Sequence, residues 1–189
     1  MLADLYDFDK TVFRGESGSE FWLFCLKRHP LIIRYLPKQA VGFLGHYVLH
    51  IVGKKRSKEL FYSYLKSIDA QREAELFWQK NVDRINGWFK PNEHDVKTVV
   101  CSASPAFQIK PICDRLGVDL LIATKMDIKT GLIEGENCKG EEKVSRIKAE
   151  ASDFEFRDVY TDNLVSDKPI LDLSTRYKYH VEDGRLYEI

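Results

Sequence analysis

The chain has 189 residues, a length that suits one domain carrying a large insertion. Its hydrophobic content of 44% allows a full core, and 29 Lys plus Arg against 29 Asp plus Glu argue against a polyanionic partner such as nucleic acid. The charge is uneven: residues 14–90 hold 14 basic and 7 acidic side chains, and the remainder 15 against 22. Such a division is either ordinary patchiness or a basic region that faces an anionic substrate or membrane surface.

Cys25, Cys101, Cys113 and Cys138 lie far apart with no C-x-x-C spacing, and the first residues do not read as a secretory signal. These features predict a reduced, cytoplasmic compartment and no zinc site.

In chain order, "LADLYDF" reads as a short strand. From Ser19 to about Trp88 the periodicity is helical throughout. "SEFWLFCLKRH" ends before Pro30, "PKQAVGFLGHYVLHIVG" is mostly apolar, and two further helices are predicted to start at the cap residues Ser57 and Asp69. After the punctuation "NGWFKPNEHD" the pattern changes. "VKTVVCS" and "DLLIATKM" are strands, separated by a helix with Ser104 as its expected N-cap, Pro105 at its first position and Gly117 at its end. "IKTGLIEG" suggests a small hairpin, "GEEKVSRIKAEA" a helix, "RDVYTD" a strand, "SDKPILDLS" a helical turn and "RYKYHVEDGRLYEI" two terminal strands. Strands alternating with helices predict an α/β fold: a Rossmann-like parallel sheet with helices on both faces, and an all-helical cap inserted after the first strand. The expected division is a core of residues 1–13 and 91–189 and a cap of residues 14–90.

Ligands of an open parallel sheet bind at the carboxyl ends of its strands. Those ends offer Asp7 and Asp9, then Ser102, then Asp162 with Asp167 just beyond, and either Lys139 or Lys143 begins the intervening helix. A terminal Asp alone is usually a cap, and a Ser before a helix is usually an N-cap; the joint order of acid, acid, hydroxyl, cation and acid is more specific.

The stretches "DFDKT", "VVCSAS", "CKGEEK" and "YTDNLVSD" together resemble the haloacid dehalogenase superfamily of phosphohydrolases, in its phosphoserine phosphatase-like branch. "RHPLIIRYLP" and "CSASP" look closest to the phosphatidylglycerophosphatase group of that branch. The resemblance implies a Mg2+-dependent phosphomonoesterase acting on a small phosphorylated molecule or a phospholipid head group. Asp7 would be the nucleophile and Asp9 the general acid and base. Asp7, the backbone carbonyl of Asp9, Asp162 and Asp167 would hold Mg2+. Ser102, with Ala103 and Ser104 at the start of the following helix, would hold phosphate oxygens. Thr11 would brace the loop, and Arg14 and Glu16 would touch the substrate from the cap. For the lysine, Lys143 is favoured because Cys138 and the Glu-Lys pair match C-x-G-x-x-K, with Lys139 as the alternative. The sequence departs from the usual pattern at Lys10, where many relatives have Gly, and at Thr161, where Gly usually precedes the Asp.

The run from Ala40 to Val52 is too short and too interrupted for a span of about 20 apolar residues. The commoner reading is a buried cap helix. The sharper one is an amphipathic helix on an anionic membrane surface, helped by Lys54, Lys55, Arg56 and Lys58, at the inner face of the membrane. Two non-hydrolytic alternatives stand beside the phosphatase: a receiver-like phospho-acceptor domain, and a membrane-associating module with a weak active site.

Overall fold

A computed structural model describes residues 1–91 and 96–189; the end of the punctuation stretch, 92–95, lies outside the described residues. Six strands form one sheet: β1 (Leu2–Tyr6), β2 (Lys97–Pro105), β3 (Leu120–Thr124), β4 (Glu155–Thr161), β5 (Tyr177–Glu182) and β6 (Arg185–Glu188). The order is β3-β2-β1-β4-β5-β6. The first five are parallel, and β6 returns antiparallel to β5. This is the expected α/β architecture.

Alternation along the strands sends neighbours to opposite faces. Leu5, Val99, Cys101 and Val159 face one cluster, closed by Ile147 and Ile170 from helices α6 (Glu141–Glu150) and α7 (Lys168–Leu171). Tyr6 and Val100 face the other, with Ile109 and Ile112 of α5 (Ala106–Leu116). Gly117 closes α5 at φ 78, the left-handed cap that glycine adopts without penalty.

Between β1 and β2 run α1 (Ser17–Arg28), α2 (Leu36–Tyr47), α3 (Lys54–Phe61) and α4 (Ala70–Asn81), joined by 3-10 turns. The insertion leaves and re-enters on a short stem: Arg14 N–H donates to Arg84 O and Asn86 N–H to Val12 O, both at 2.9 Å. Asp69 caps α4 as expected, accepting from Arg72 N–H at 3.1 Å. Its Phe77 and Trp78 join the same cluster as Tyr6 and Ile109, and Trp78 Nε1 donates to Gln108 O at 2.6 Å. The inserted helices therefore share a core with one face of the sheet.

Three local expectations are corrected. α3 starts at Lys54, three residues before Ser57, with Gly53 as its cap. Ser57 Oγ instead donates across to Gly42 O at 3.0 Å. Ser104 lies within β2, whose last residue, Pro105, takes the cap position of α5.

The third concerns α2, which is not a buried apolar helix. Its buried residues are Gln39, Gly42 and Gly45. A Cβ on Gly42 would lie 3.0 Å from Leu60 Cβ and 3.1 Å from Ser57 O, so the bare backbone permits α2 and α3 to pack this closely. The apolar side chains point the other way: Val41, Phe43, Leu44 and Tyr47 are exposed, as are Val48, Leu49 and Ile51 beyond the helix. Small residues bought the helix contact, and the large ones were left to solvent.

Candidate active site

Asp7 follows the last residue of β1, and its N–H continues the ladder to Tyr160 O at 2.9 Å. Asp162 follows the last residue of β4, and Asp167 caps α7. Carboxylate oxygens of Asp7, Asp162 and Asp167 lie within 4.8 Å of one another. Unrelieved, each such pair would cost about 4 kcal/mol at 4 Å and an effective dielectric near 20.

Relief comes from Lys143, itself only 2% exposed. Its Nζ donates to Asp7 Oδ1 at 2.6 Å and to Asp167 Oδ2 at 2.9 Å. Gly140 makes this reach possible, capping α6 at φ 61 and ψ −129, a backbone shape L residues rarely take. Burial alone would lower the Lys143 pKa, but the two carboxylates outweigh it and hold the ammonium charged. Asp7 is pushed up to about 7, chiefly by burial, with Lys143 pulling it back. Thr161 also contributes: its Oγ1 donates to Asp167 Oδ2 at 2.8 Å, a contact glycine would lack.

Asp9 is turned away from that cluster. Its Oδ1 accepts from Ser17 N–H at 2.7 Å and its Oδ2 from Ser104 Oγ at 2.5 Å. Burial raises its pKa despite those bonds, which favours a proton on the carboxyl. Lys10, between Asp9 and Thr11, sits at φ 58, the region where glycine is favoured, which explains why glycine suits this position. Its Nζ pairs with Glu16 at 2.5 Å.

Two cavities meet here. One, of about 160 Å³, is lined by Asp7, Ser102, Lys143, Asp162 and Asp167 among others. The other, of about 390 Å³, extends toward α2 and α3. Asp9, Glu16, Ala103 and Lys139 line both.

The structure therefore brings together Asp7, Asp9, Ser102, Ala103, Lys143, Asp162 and Asp167, with Glu16 and Lys139 at the rim. Ser102 Oγ accepts from Ser104 N–H at 3.0 Å. Two expected residues fall elsewhere. Arg14 reaches onto the stem, donating to Asp83 O at 2.6 Å, and lines neither cavity. Thr11 is fully buried; its Oγ1 has no partner among the described residues, and the loop is braced by Asn86 Nδ2 donating to Thr11 O at 2.6 Å. Sequence reasoning missed Ser17, Asn86, Asn137 and the inward reach of Lys58, because each acts through contacts between elements distant in sequence.

The sequence model of the family described as haloacid dehalogenase-like hydrolase matches residues 5–172, most of the chain. The chain belongs to this family. The match runs from β1 to α7 and includes every member of the acidic cluster. Among curated proteins, CicA of Caulobacter vibrioides is 28% identical over 163 residues, covering 78% of this chain and 71% of that protein. Among solved structures, a Bordetella pertussis Tohama I protein described as of unknown function has a TM-score of 0.74 at 22% identity, covering 93% of this chain and 87% of its own. Apo phosphoserine phosphatase has a TM-score of 0.55 at 21% identity, covering 94% and 84%. The haloacid dehalogenase-like fold of this chain is thus the one phosphoserine phosphatase carries.

An all-oxygen donor set of three carboxylates suits a hard divalent cation, and Asp7, Asp162 and Asp167 are close enough to share one.

Proposed function

We propose that the protein is a Mg2+-dependent phosphomonoester hydrolase working through an aspartyl phosphate on Asp7. The observation that carries this reading is the buried Asp7–Lys143–Asp167 arrangement at the strand ends. Lys143 occupies Asp7 Oδ1, and among the described residues Oδ2 accepts no hydrogen bond. Oδ2 attacks phosphorus as the P–O bond to the alcohol breaks, and Asp9 gives the departing oxygen its proton. Asp9, now a carboxylate, takes a proton from water as that water attacks phosphorus, which frees Asp7 and phosphate. Ser17 N–H and Ser104 Oγ hold Asp9 in place for both steps. Lys143 stays protonated throughout and offsets the repulsion between carboxylate and phosphate. Asp7, Asp162, Asp167 and the Asp9 carbonyl would hold Mg2+, which would supply further charge neutralisation when bound. Ser102 and the Ala103–Ser104 segment line the phosphate side, and Glu16 lies at the rim.

The helical insertion of residues 14–90 acts as the cap over this site. The substrate is a small phosphorylated molecule or a phospholipid head group, the latter in keeping with the likeness of "CSASP" to the phosphatidylglycerophosphatase group. We also propose peripheral contact with an anionic bilayer from the cytoplasmic side. The outward apolar face of α2 supports it, because residues 21–58 carry eight Lys or Arg and no Asp or Glu. No helix among the described residues is long and apolar enough to cross a membrane. The four buried thiols are unbridged, consistent with a reduced compartment.

Phosphate release with Mg2+ and with chelator tests the chemistry. Asp7→Asn is expected to lose about 10⁴-fold or more in turnover while keeping its fold by circular dichroism. Retained Mg2+-dependent turnover in that variant would sink the assignment. Flotation with phosphatidylglycerol vesicles, but not with phosphatidylcholine vesicles, tests the membrane contact. Flotation with neither overturns it.

A further inference from the structure

The larger cavity contains charge that the hydrolysis of a phosphomonoester does not use. Lys58 leans in from α3, and its Nζ donates to the carbonyl of Ala103 and to Asn137 Oδ1, the latter at 2.8 Å. Both acceptors are neutral. Lys54, one turn earlier, and Lys139, from the segment before α6, line the same cavity. No carboxylate among the described residues forms an ion pair with any of the three. The acids on the same walls are already engaged: Asp9 accepts from Ser17 and Ser104, and Glu16 pairs with Lys10.

Three ammonium groups held in one cavity repel each other and lose hydration. Lys58 is driven down to about 7, chiefly by burial. Lys54 is lowered to about 8, by burial and then by the neighbouring Lys139. A cluster of cations in a cavity beside a catalytic centre is complementary to an anion. That anion is not the phosphoryl group undergoing transfer, because Lys143 and the strand ends provide for it in the adjoining cavity.

We propose that Lys54, Lys58 and Lys139 bind a second anionic group of the phosphate class, carried on the alcohol side of the substrate. The inference rests on the phosphatase reading and names its substrate class: a phosphomonoester whose leaving alcohol bears another phosphate or phosphodiester. Lysine heads bind phosphate as mobile point charges, and three of them around one cavity match a multiply charged, multi-oxygen anion better than a single carboxylate. Phe43 and Tyr47 of α2, with Phe61 of α3, add apolar lining to the same cavity, although Phe43 and Tyr47 are also exposed to solvent. A free bisphosphate and a lipid head group present the same chemistry.

The test compares 1,3-propanediol bisphosphate with propyl phosphate. It also compares two lipids in mixed micelles: a phosphatidyl lipid whose head group ends in a phosphomonoester, and phosphatidic acid. The wild type is expected to favour the doubly anionic member of at least one pair by about tenfold or more in kcat/KM. Preference in the lipid pair alone assigns the lipid source; preference in the soluble pair assigns the free one. Lys54→Gln and Lys58→Gln are each expected to reduce that preference several-fold, mainly through KM. Lys54 is exposed, so its variant keeps the experiment decisive if the Lys58 variant folds poorly. Equal kcat/KM within both pairs, or a preference unchanged in both variants, overturns the subsite. Calorimetric titration of the bisphosphate into Asp7→Asn, with and without Lys54→Gln, reads binding without turnover. Lysine-dependent binding with no hydrolysis of any substrate would reject the phosphatase reading and leave the subsite standing.

Discussion

Lys143 is 2% exposed and Phe43 is 59% exposed. At the strand ends, charged groups are buried; on α2, apolar groups face solvent. The first inversion is internally compensated, since each buried charge of the cluster has a partner at hydrogen-bond distance. The second is not, because among the described residues nothing covers the outer face of α2. Buried charge of this kind is the feature on which the proposed chemistry rests, and the exposed apolar surface is the feature on which the proposed bilayer contact rests.

The comparison breaks most visibly if Lys143 is removed. Lys143→Met leaves Asp7 and Asp167 facing each other without a cation, and a loss of about 3–5 kcal/mol is expected in urea unfolding. Trp78→Ala, in the core that the insertion shares with α5, is expected to cost a similar 3–5 kcal/mol or somewhat less. An insertion that stood apart from the sheet would give a small effect with a separate unfolding transition.

Glu73 is a milder case. Its carboxylate accepts from Arg28 Nε at 2.5 Å and lies 3.1 Å from His29 Nε2. Burial raises its pKa, but Arg28 and then His29 pull it below the ordinary 4.5. Arg28 is partly exposed, so Glu73→Gln is expected to cost only about 1 kcal/mol near neutral pH. Because the folded value is the lower one, this contribution is present above 4.5 and is lost as pH falls through the folded value. The gap between wild type and variant should therefore close in acid; a gap constant with pH would contradict the ion pairs. Smallest of all, Phe43→Ser is expected to change stability by less than about 0.5 kcal/mol, while weakening vesicle flotation. A destabilisation above about 2 kcal/mol would mean that α2 packs its apolar face inward.

The acidic cluster at the strand ends is legible in the sequence because strand ends converge by topology. Asp7, Ser102, Asp162 and Asp167 each stand at a strand terminus or the turn beyond it, and a parallel sheet gathers such termini without further information. Lys143, favoured over Lys139 by its match to C-x-G-x-x-K, is the lysine that reaches Asp7 and Asp167. The inserted helices were harder. Periodicity shows that α2 has two faces but does not say which one is inside, and Gly42 with Gly45 decided that by allowing α3 to approach. The true start of α3 at Lys54 was hidden because Gly53 supplies no side-chain signal, whereas Ser57 looks like a cap and is used as a tether. Arg14 was placed at the substrate by proximity in sequence to Asp9, yet the stem at Arg84 captures it. Lys58 reads in sequence as one of a basic run facing an anionic surface, because nothing in a linear sequence tells that Ala103 and Asn137 lie opposite.

The position of β1 has a consequence for how the molecule comes into being. It precedes the other five strands in the chain, and its two neighbours are β2, beginning at Lys97, and β4, beginning at Glu155. At about 5–20 residues per second, β1 waits on the order of ten seconds for its second partner. Throughout that interval its unpaired edge and the outward face of α2 are exposed together on the nascent chain. Pairing over such sequence distances slows folding relative to local contacts, and an unpaired strand edge favours association between chains until β4, with Asp162 and Asp167 just beyond it, arrives.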